Sequence, residues 1–125
     1  MLITDHIAGI LTVTGIITAL PILQFFFPVQ MLKHFNKLEI RDEAGLFFAR
    51  HWGLLAFSIG ALLVYAAGHP EARAPIMLSA LIEKLGMVAF GVMHRNRTYM
   101  QGMRVASVFD TICVLLYGIY LAGLA

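Results

Sequence analysis

Several ionisable side chains lie inside stretches of sequence that are otherwise apolar. They are Arg50, His51, Glu83, Lys84 and Asp110. A charge in an apolar environment is costly, so such groups usually pair with one another, bind a ligand or move protons. The set contains two basic and two acidic groups besides the histidine, which predicts a neutral cluster of buried ion pairs. This cluster would serve as a structural clamp that fixes helix register or as the polar wall of a ligand site, and the two roles are compatible.

The chemistry of these side chains suits a site for a lipophilic molecule. Arg50 would engage an anionic or carbonyl group, and His51 would donate or accept a hydrogen bond without adding a charge. Glu83 and Asp110 would orient those two groups, so these four residues are the primary candidates for ligand binding. Further polar or reactive side chains near the same helix faces or helix ends are secondary candidates: Lys84, His94, Cys113 and Tyr117. No catalytic residue is assigned, and the sequence leaves open whether the protein is an enzyme.

Metal and haem sites have little support in the sequence. A CxxC or Cys/His zinc motif is absent, and the single cysteine, Cys113, is more typical of a small packing residue than of a nucleophile. His51 and His94 lie on the same predicted side and can in principle ligate haem, but His94 stands at a helix end beside Arg95. One histidine pair without a second motif does not predict haem, so the sequence requires no cofactor and no metal.

The elements that carry these side chains are four apolar stretches, at residues 7–27, 46–67, 76–93 and 105–124. Each is close to the ~20 residues that a helix needs to cross a bilayer. Hydrophobic residues make up 60% of the 125-residue chain and charged residues 13%, against about 45–50% and about 25% in soluble domains. The sequence therefore predicts one all-α domain over residues 1–125, an integral membrane protein built as an antiparallel four-helix transmembrane bundle. Pro21 predicts a kink in the first helix.

Basic residues are concentrated in two of the three connections. They are Lys33, Lys37 and Arg41 in the first connection and Arg95, Arg97 and Arg104 in the third, whereas the opposite side has only Arg73. By the positive-inside rule, this bias predicts a multi-pass protein of the inner (plasma) membrane with both termini non-cytoplasmic. The net charge of +2 is explained by this topology and does not indicate nucleic-acid binding. The first connection also has apolar residues at helical spacing, which predict either a short amphipathic helix at the cytoplasmic interface or an ordinary loop. They are Met31, Leu32, Phe35 and Leu38.

Helical spacing predicts which side chains face the interior of the bundle. The inward sets are Thr14, Thr18 and Gln24 on the first helix, His51, Leu55, Ser58 and Tyr65 on the second, Glu83, Met87, Phe90 or Gly91, and His94 on the third, and Asp110, Cys113 and Tyr117 on the fourth. Lys84 lies about 100° from Glu83 around the same helix and is predicted to face another helix or a second subunit. Tyr117 also lies toward the outer end of its helix, where an interfacial aromatic belt is the default interpretation.

Short motifs follow one another along the chain. They are Phe25–Phe26–Phe27–Pro28, Arg50–His51–Trp52–Gly53, Ser58–Ile59–Gly60–Ala61–Leu62–Leu63 and the short turn to Arg73. In this order they resemble the DoxX-like group of small bacterial four-helix membrane proteins, over most of the chain. The resemblance implies the four-helix fold and an association with quinone-linked or redox-stress membrane complexes. It implies no catalytic residues for this chain.

Three functions fit these patterns. The first is an accessory or binding protein for a lipophilic molecule that is quinone-, sterol- or lipid-like. The second is a membrane enzyme that acts on a lipophilic substrate by proton transfer through Glu83 or His51. The third is a proton- or ion-coupled transporter that works as a homo-oligomer, because four helices enclose little pathway alone. The expected partners are the lipid bilayer, a lipophilic small molecule, and the other subunits of a homo-oligomer or membrane complex.

Overall fold

The computed structural model describes residues 2–123, without the side chains of Asn36 and Tyr99, and the regular structure within that range is entirely helical. The α-helices are Leu2–Asp5 (α1), Ile7–Ala19 (α2), Ile22–Phe26 (α3), Pro28–Met31 (α4), Glu43–Ala67 (α5), Arg73–Met93 (α6) and Arg104–Leu121 (α7). A π-helical segment at Leu32–Asn36 and 3-10 segments at Pro70–Ala72 and Thr98–Met103 lie between them. Leu124, the predicted end of the fourth stretch, lies outside the described residues.

Four helical segments are long and apolar enough to cross a membrane: Ile7–Phe26, Glu43–Ala67, Pro70–Met93 and Met100–Leu121. These candidate spans confirm the predicted helical class and the number of apolar helices. The second begins at Glu43 rather than at residue 46 because Asp42 caps it, with its carboxylate accepting a hydrogen bond from the Gly45 N–H at 2.7 Å. Such a cap satisfies an N–H group that the first turn of a helix leaves unpaired.

The first candidate span is interrupted at Pro21. Helix α2 ends at Ala19 and α3 begins at Ile22, because proline has no N–H to donate and its ring crowds the preceding turn. Just after the break, the Leu23 N–H bonds to the Leu20 carbonyl at 3.1 Å, in place of a regular helical bond. The first span is therefore interrupted at the proline where the sequence predicts a kink.

The connection between the first two spans is mostly helical. Helix α4 continues into the π-helical segment, and Lys37, in the left-handed region at φ 58°, ends it. The segment is two-sided, because Leu32 is buried and Phe35 is 63% exposed. This connection is therefore mostly helical and not an ordinary loop, whereas an amphipathic helix with Leu32 and Phe35 on one face stays a prediction, and Leu38 lies beyond the end of the helical segment.

The candidate spans pack most closely as two pairs. Helices α2 and α3 lie against α5, α6 lies against α7, and α5 also contacts α6. The first pair is held at short range because Gly15 and Gly60 face each other across α2 and α5. A Cβ atom on Gly60 would lie 2.5 Å from the Gly15 carbonyl oxygen and 2.5 Å from the Ala19 nitrogen. Small residues permit this close approach of membrane helices.

The main apolar core lies at the end of the bundle opposite the two basic connections. Its buried members are Ile7, Leu11, Leu63, Ala66, Met77, Ala80, Cys113 and Tyr117. The Thr14 hydroxyl donates its hydrogen to the Ile10 carbonyl at 2.6 Å, so the Tyr117 hydroxyl must donate to Thr14 Oγ1, 2.5 Å away. Tyr117 therefore does not belong to an interfacial belt, contrary to that interpretation, because this bond satisfies its hydroxyl inside the core.

Arg73 closes the end of α5 at the same side of the bundle. Its Nε and Nη2 atoms donate to the carbonyls of Ala66 and Ala67 at 2.8 Å and 2.6 Å. The last carbonyls of a helix have no partner within the helix, and a cation there is also favoured by the helix dipole. The basic residue that stood out from the sequence on this side is thus a cap that ties the second candidate span to the start of the third.

Candidate functional site

A cavity of about 430 Å³ lies between the candidate spans, at the end of the bundle where the two basic connections meet them. We call it the main cavity. All four spans contribute to its walls, and both connections contribute to its floor through Met31, Phe35, Gly102 and Met103. Its volume falls within the roughly 300–1,000 Å³ that is typical of small-molecule sites. Most of the wall is apolar.

A small set of polar side chains interrupts the apolar wall: Thr18, Gln24, Trp52, Glu83, Lys84 and Asp110. Thr18 donates to the Thr14 carbonyl at 2.7 Å, so its hydrogen is already used within α2. Gln24 donates through Nε2 to the Ala49 carbonyl at 2.6 Å, which joins α3 to α5. An apolar cavity with a few convergent polar groups is the usual form of a site that binds and orients a small molecule.

Lys84 and Asp110 form a buried ion pair between α6 and α7. The Lys84 Nζ donates to the Asp110 Oδ1 at 2.9 Å, and the two side chains are 2% and 10% exposed. The same ammonium lies 4.8 Å from the centroid of the Phe109 ring, within the range of a cation–π contact. A buried ion pair was predicted, and this part is confirmed. Its basic member is Lys84 and not Arg50.

Glu83 carries a buried atom without a partner. Its Oε2 is buried from solvent and accepts no hydrogen bond from the part of the chain that the structure describes. Buried polar atoms almost always have a partner, so an exception at the wall of a cavity is notable. The most buried face of α6 is formed by Met77, Ala80 and Lys84, at helical spacing. Lys84 faces another helix, α7, which is one of the two predicted alternatives, and it lines the main cavity together with Glu83.

Arg50 and His51 lie outside the main cavity. Both are exposed, and they line a second cavity together with Phe25, Glu43, Leu46, Phe47 and Leu54. The His51 ring stacks on Phe47, with centroids 6.5 Å apart and ring planes 10° apart. The structure thus places the four primary candidates in two sites, Glu83 and Asp110 in one and Arg50 and His51 in the other.

The buried face of α5 consists of small and aliphatic residues, including Gly53, Ala56, Gly60 and Leu63. The predicted inward set of His51, Leu55, Ser58 and Tyr65 is therefore wrong, because all four are exposed. Close packing of α5 on α2 and α3 requires small side chains at the contact, which turns the polar residues outward. Ser58 needs no partner on another helix, since its hydroxyl donates to the Leu54 carbonyl at 3.1 Å.

The remaining secondary candidates lie away from the main cavity. His94 ends α6, with its Nδ1 3.0 Å from the Phe90 carbonyl oxygen. Cys113 and Tyr117 are fully buried in the apolar core, on the same face of α7 as Asp110, as their spacing predicted. Among residues 2–123, no group of three or more His, Cys, Asp or Glu side chains is placed to hold a metal ion.

Comparison of the chain with protein-family models, with curated proteins and with solved structures found no match. The resemblance of its motifs to the DoxX-like group stays a prediction. Function is therefore inferred from the main cavity and the charges that line it.

Proposed function

We propose that the protein is a multi-pass membrane protein that binds a lipophilic small molecule in the main cavity. The observation that carries this proposal is a cavity of about 430 Å³ with apolar walls and a cluster of Glu83, Lys84 and Asp110 at one place in them. The apolar walls would take the body of an amphiphile, and the charged cluster would take its polar end. Quinone-, sterol- and lipid-like molecules all have this general form.

The alternative is an enzyme that acts on such a molecule by proton transfer. It is favoured by one observation, the Glu83 Oε2 that is buried and without a hydrogen-bond donor. Lys84 and Asp110 are engaged with each other at 2.9 Å, so Glu83 is the group of the cluster that is free to exchange a proton with a bound molecule. Conversion of the bound molecule into a product distinguishes the enzyme from the binding protein.

The orientation that goes with this proposal places both termini outside the cytoplasm, in an antiparallel bundle of the inner membrane. We expect a cysteine in place of Lys37, in a Cys113→Ser background, to react with a membrane-impermeant thiol reagent only after the cytoplasmic side is opened. A cysteine in place of Glu71, in the connection that ends with Pro70–Ala72, is the matched control and should react in intact cells. Labelling of the Lys37 position in intact cells would contradict the orientation.

The binding proposal is tested by filling the main cavity. Ala106 lines it, and we expect Ala106→Phe to occupy the space that the ligand needs and to reduce ligand retention roughly tenfold or more. The measurement is mass spectrometry of small molecules that co-purify with the protein in native lipid discs. Ala89→Phe is the matched control, because Ala89 is exposed on the outside of α6, and it should retain the ligand as the wild type does.

The thermal stability of both variants is measured in parallel, so that loss of ligand is not confused with loss of fold. Equal retention by the wild type, Ala106→Phe and Ala89→Phe would show that the ligand sits elsewhere. The absence of any enriched small molecule in the wild type would likewise count against the proposal.

A further inference from the structure

The charges that line the main cavity do not balance. Among the described residues of its wall, Glu83 and Asp110 supply two carboxylates and Lys84 supplies one ammonium, which leaves one formal negative charge. The ammonium is 2.9 Å from Asp110, so the charge without a match is that of Glu83. Arg50, the second basic group expected from the sequence, lines the other cavity together with Glu43.

Aromatic rings line the same cavity as the Glu83 carboxylate. The buried Oε2 of Glu83 lacks a donor, and the rings of Phe35, Trp52 and Phe109 line the same cavity. One of these rings already faces a cation, since the Lys84 ammonium lies 4.8 Å from the centroid of Phe109. A carboxylate combined with aromatic faces is a recurring way in which proteins hold organic ammonium groups.

We propose that the polar end of the bound molecule is a cation, a protonated amine or a quaternary ammonium, with Glu83 as its counter-ion. This inference rests on the proposed function and names the class of its ligand. A cationic end restores charge neutrality in the cavity, whereas a carboxylate or phosphate would bring a second negative charge beside Glu83. The hydrocarbon body of the ligand would lie against Ile17, Met31 and Met87, which are apolar members of the wall.

The test compares probes that share a ten-carbon chain and differ only at the polar end. Decyltrimethylammonium, decanol and decanoate are titrated against the full-length protein in discs of digalactosyldiacylglycerol, a neutral lipid whose head group carries no ammonium that could compete for the site. We expect the ammonium to bind about tenfold more tightly than the alcohol, because a charged contact adds more than a neutral one. Decanoate should bind most weakly. The signal from the Ala106→Phe variant in the same discs measures the partition of each probe into lipid, and it is subtracted from the wild-type signal.

Two variants assign the preference to one carboxylate. Glu83→Gln keeps the shape of the side chain, and it should abolish the advantage of the ammonium while the affinity for decanol stays unchanged. The unchanged affinity for decanol shows that the variant is folded. Glu43→Gln is the matched control, because Glu43 lines the second cavity, and it should keep the wild-type preference.

The outcomes separate this inference from the proposed function. Equal binding of decanol and decyltrimethylammonium by the wild type, or a preference for decanoate, would overturn the cationic end while the amphiphile site stands. A preference that survives in Glu83→Gln or disappears in Glu43→Gln would overturn the role of Glu83. If no probe binds the wild type better than it binds Ala106→Phe, both the inference and the proposed function fail.

Discussion

Replacing Lys84 by methionine should lower the free energy of unfolding by about 3–5 kcal/mol, because it leaves Asp110 buried without its partner. The Lys84 Nζ is 2.9 Å from the Asp110 Oδ1, and neither side chain is more than 10% exposed. The double variant Lys84→Met with Asp110→Leu should recover much of the loss, since apolar residues of similar size replace a buried ion pair at little net cost. The free energy of unfolding of the wild type, the single variant and the double variant is measured by denaturant unfolding in one detergent.

Two further replacements serve as controls for the Lys84 result. Lys33 pairs with Glu39 at 3.6 Å, with both side chains about 60% exposed, and Lys33→Met should cost less than about 1 kcal/mol because an exposed pair is screened by solvent. Arg50→Met should also have a small effect, since Arg50 is exposed and lies away from the buried pair. Equal losses for Lys84→Met and Lys33→Met would contradict the buried clamp. A large loss of stability in Arg50→Met would mean that Arg50 also belongs to the buried clamp.

The sequence predicts the helical elements well because their length and apolar composition are local properties. The inward face of α7 is also predicted correctly, since Asp110, Cys113 and Tyr117 are all buried. The same holds for Thr14 and Thr18 on α2. On these two helices the polar residues of the predicted inward sets are buried, so their spacing identifies the interior face of the bundle.

On α5 the same reasoning gives the wrong face. In a helix that is apolar all round, a polar residue whose hydrogen bond is made within its own helix can lie on either face, as buried Thr18 and exposed Ser58 show. Ser58 is satisfied within its own helix, and His51 stacks on Phe47 one turn away, so neither requires an interior position. The residues that decide the orientation of α5 are Gly53 and Gly60, whose lack of a side chain allows contact with the first span.

Only part of the site can be predicted from the sequence, because spacing along one helix does not identify its contacts with another helix. Glu83 and Lys84 are neighbours on α6, and helical spacing cannot tell which of them meets Asp110 on α7. The main cavity itself depends on contacts between distant parts of the chain. Its floor uses Phe35 from one connection and Met103 from another, and nothing in the local pattern of either connection indicates that they close one end of the bundle.

Replacing Gly60 by valine should separate α2 from α5 and lower the free energy of unfolding by about 3 kcal/mol. A Cβ atom at this position would lie 2.5 Å from the Ala19 nitrogen and 2.5 Å from the Gly15 carbonyl oxygen. Both are backbone atoms, so they cannot turn aside as a flexible side chain would, and the whole helix must shift. The measurement is again denaturant unfolding in detergent, and Gly60→Ala should show the same effect in weaker form.

Gly86 provides the matched control within another candidate span. A Cβ atom there meets no described atom within 4 Å, so Gly86→Ala should leave stability unchanged or raise it by up to ~1 kcal/mol, because alanine favours the helix more than glycine does. Separation of α2 and α5 should also break the bond from Gln24 to the Ala49 carbonyl, which is 2.6 Å long and lies beside the main cavity. We therefore expect Gly60→Val, unlike Gly86→Ala, to lose the co-purifying molecule as well. If the free energy of unfolding of Gly60→Val equalled that of the wild type, the backbones of the first two spans would not be in contact. The part of the main cavity wall that these two spans form would then be contradicted as well.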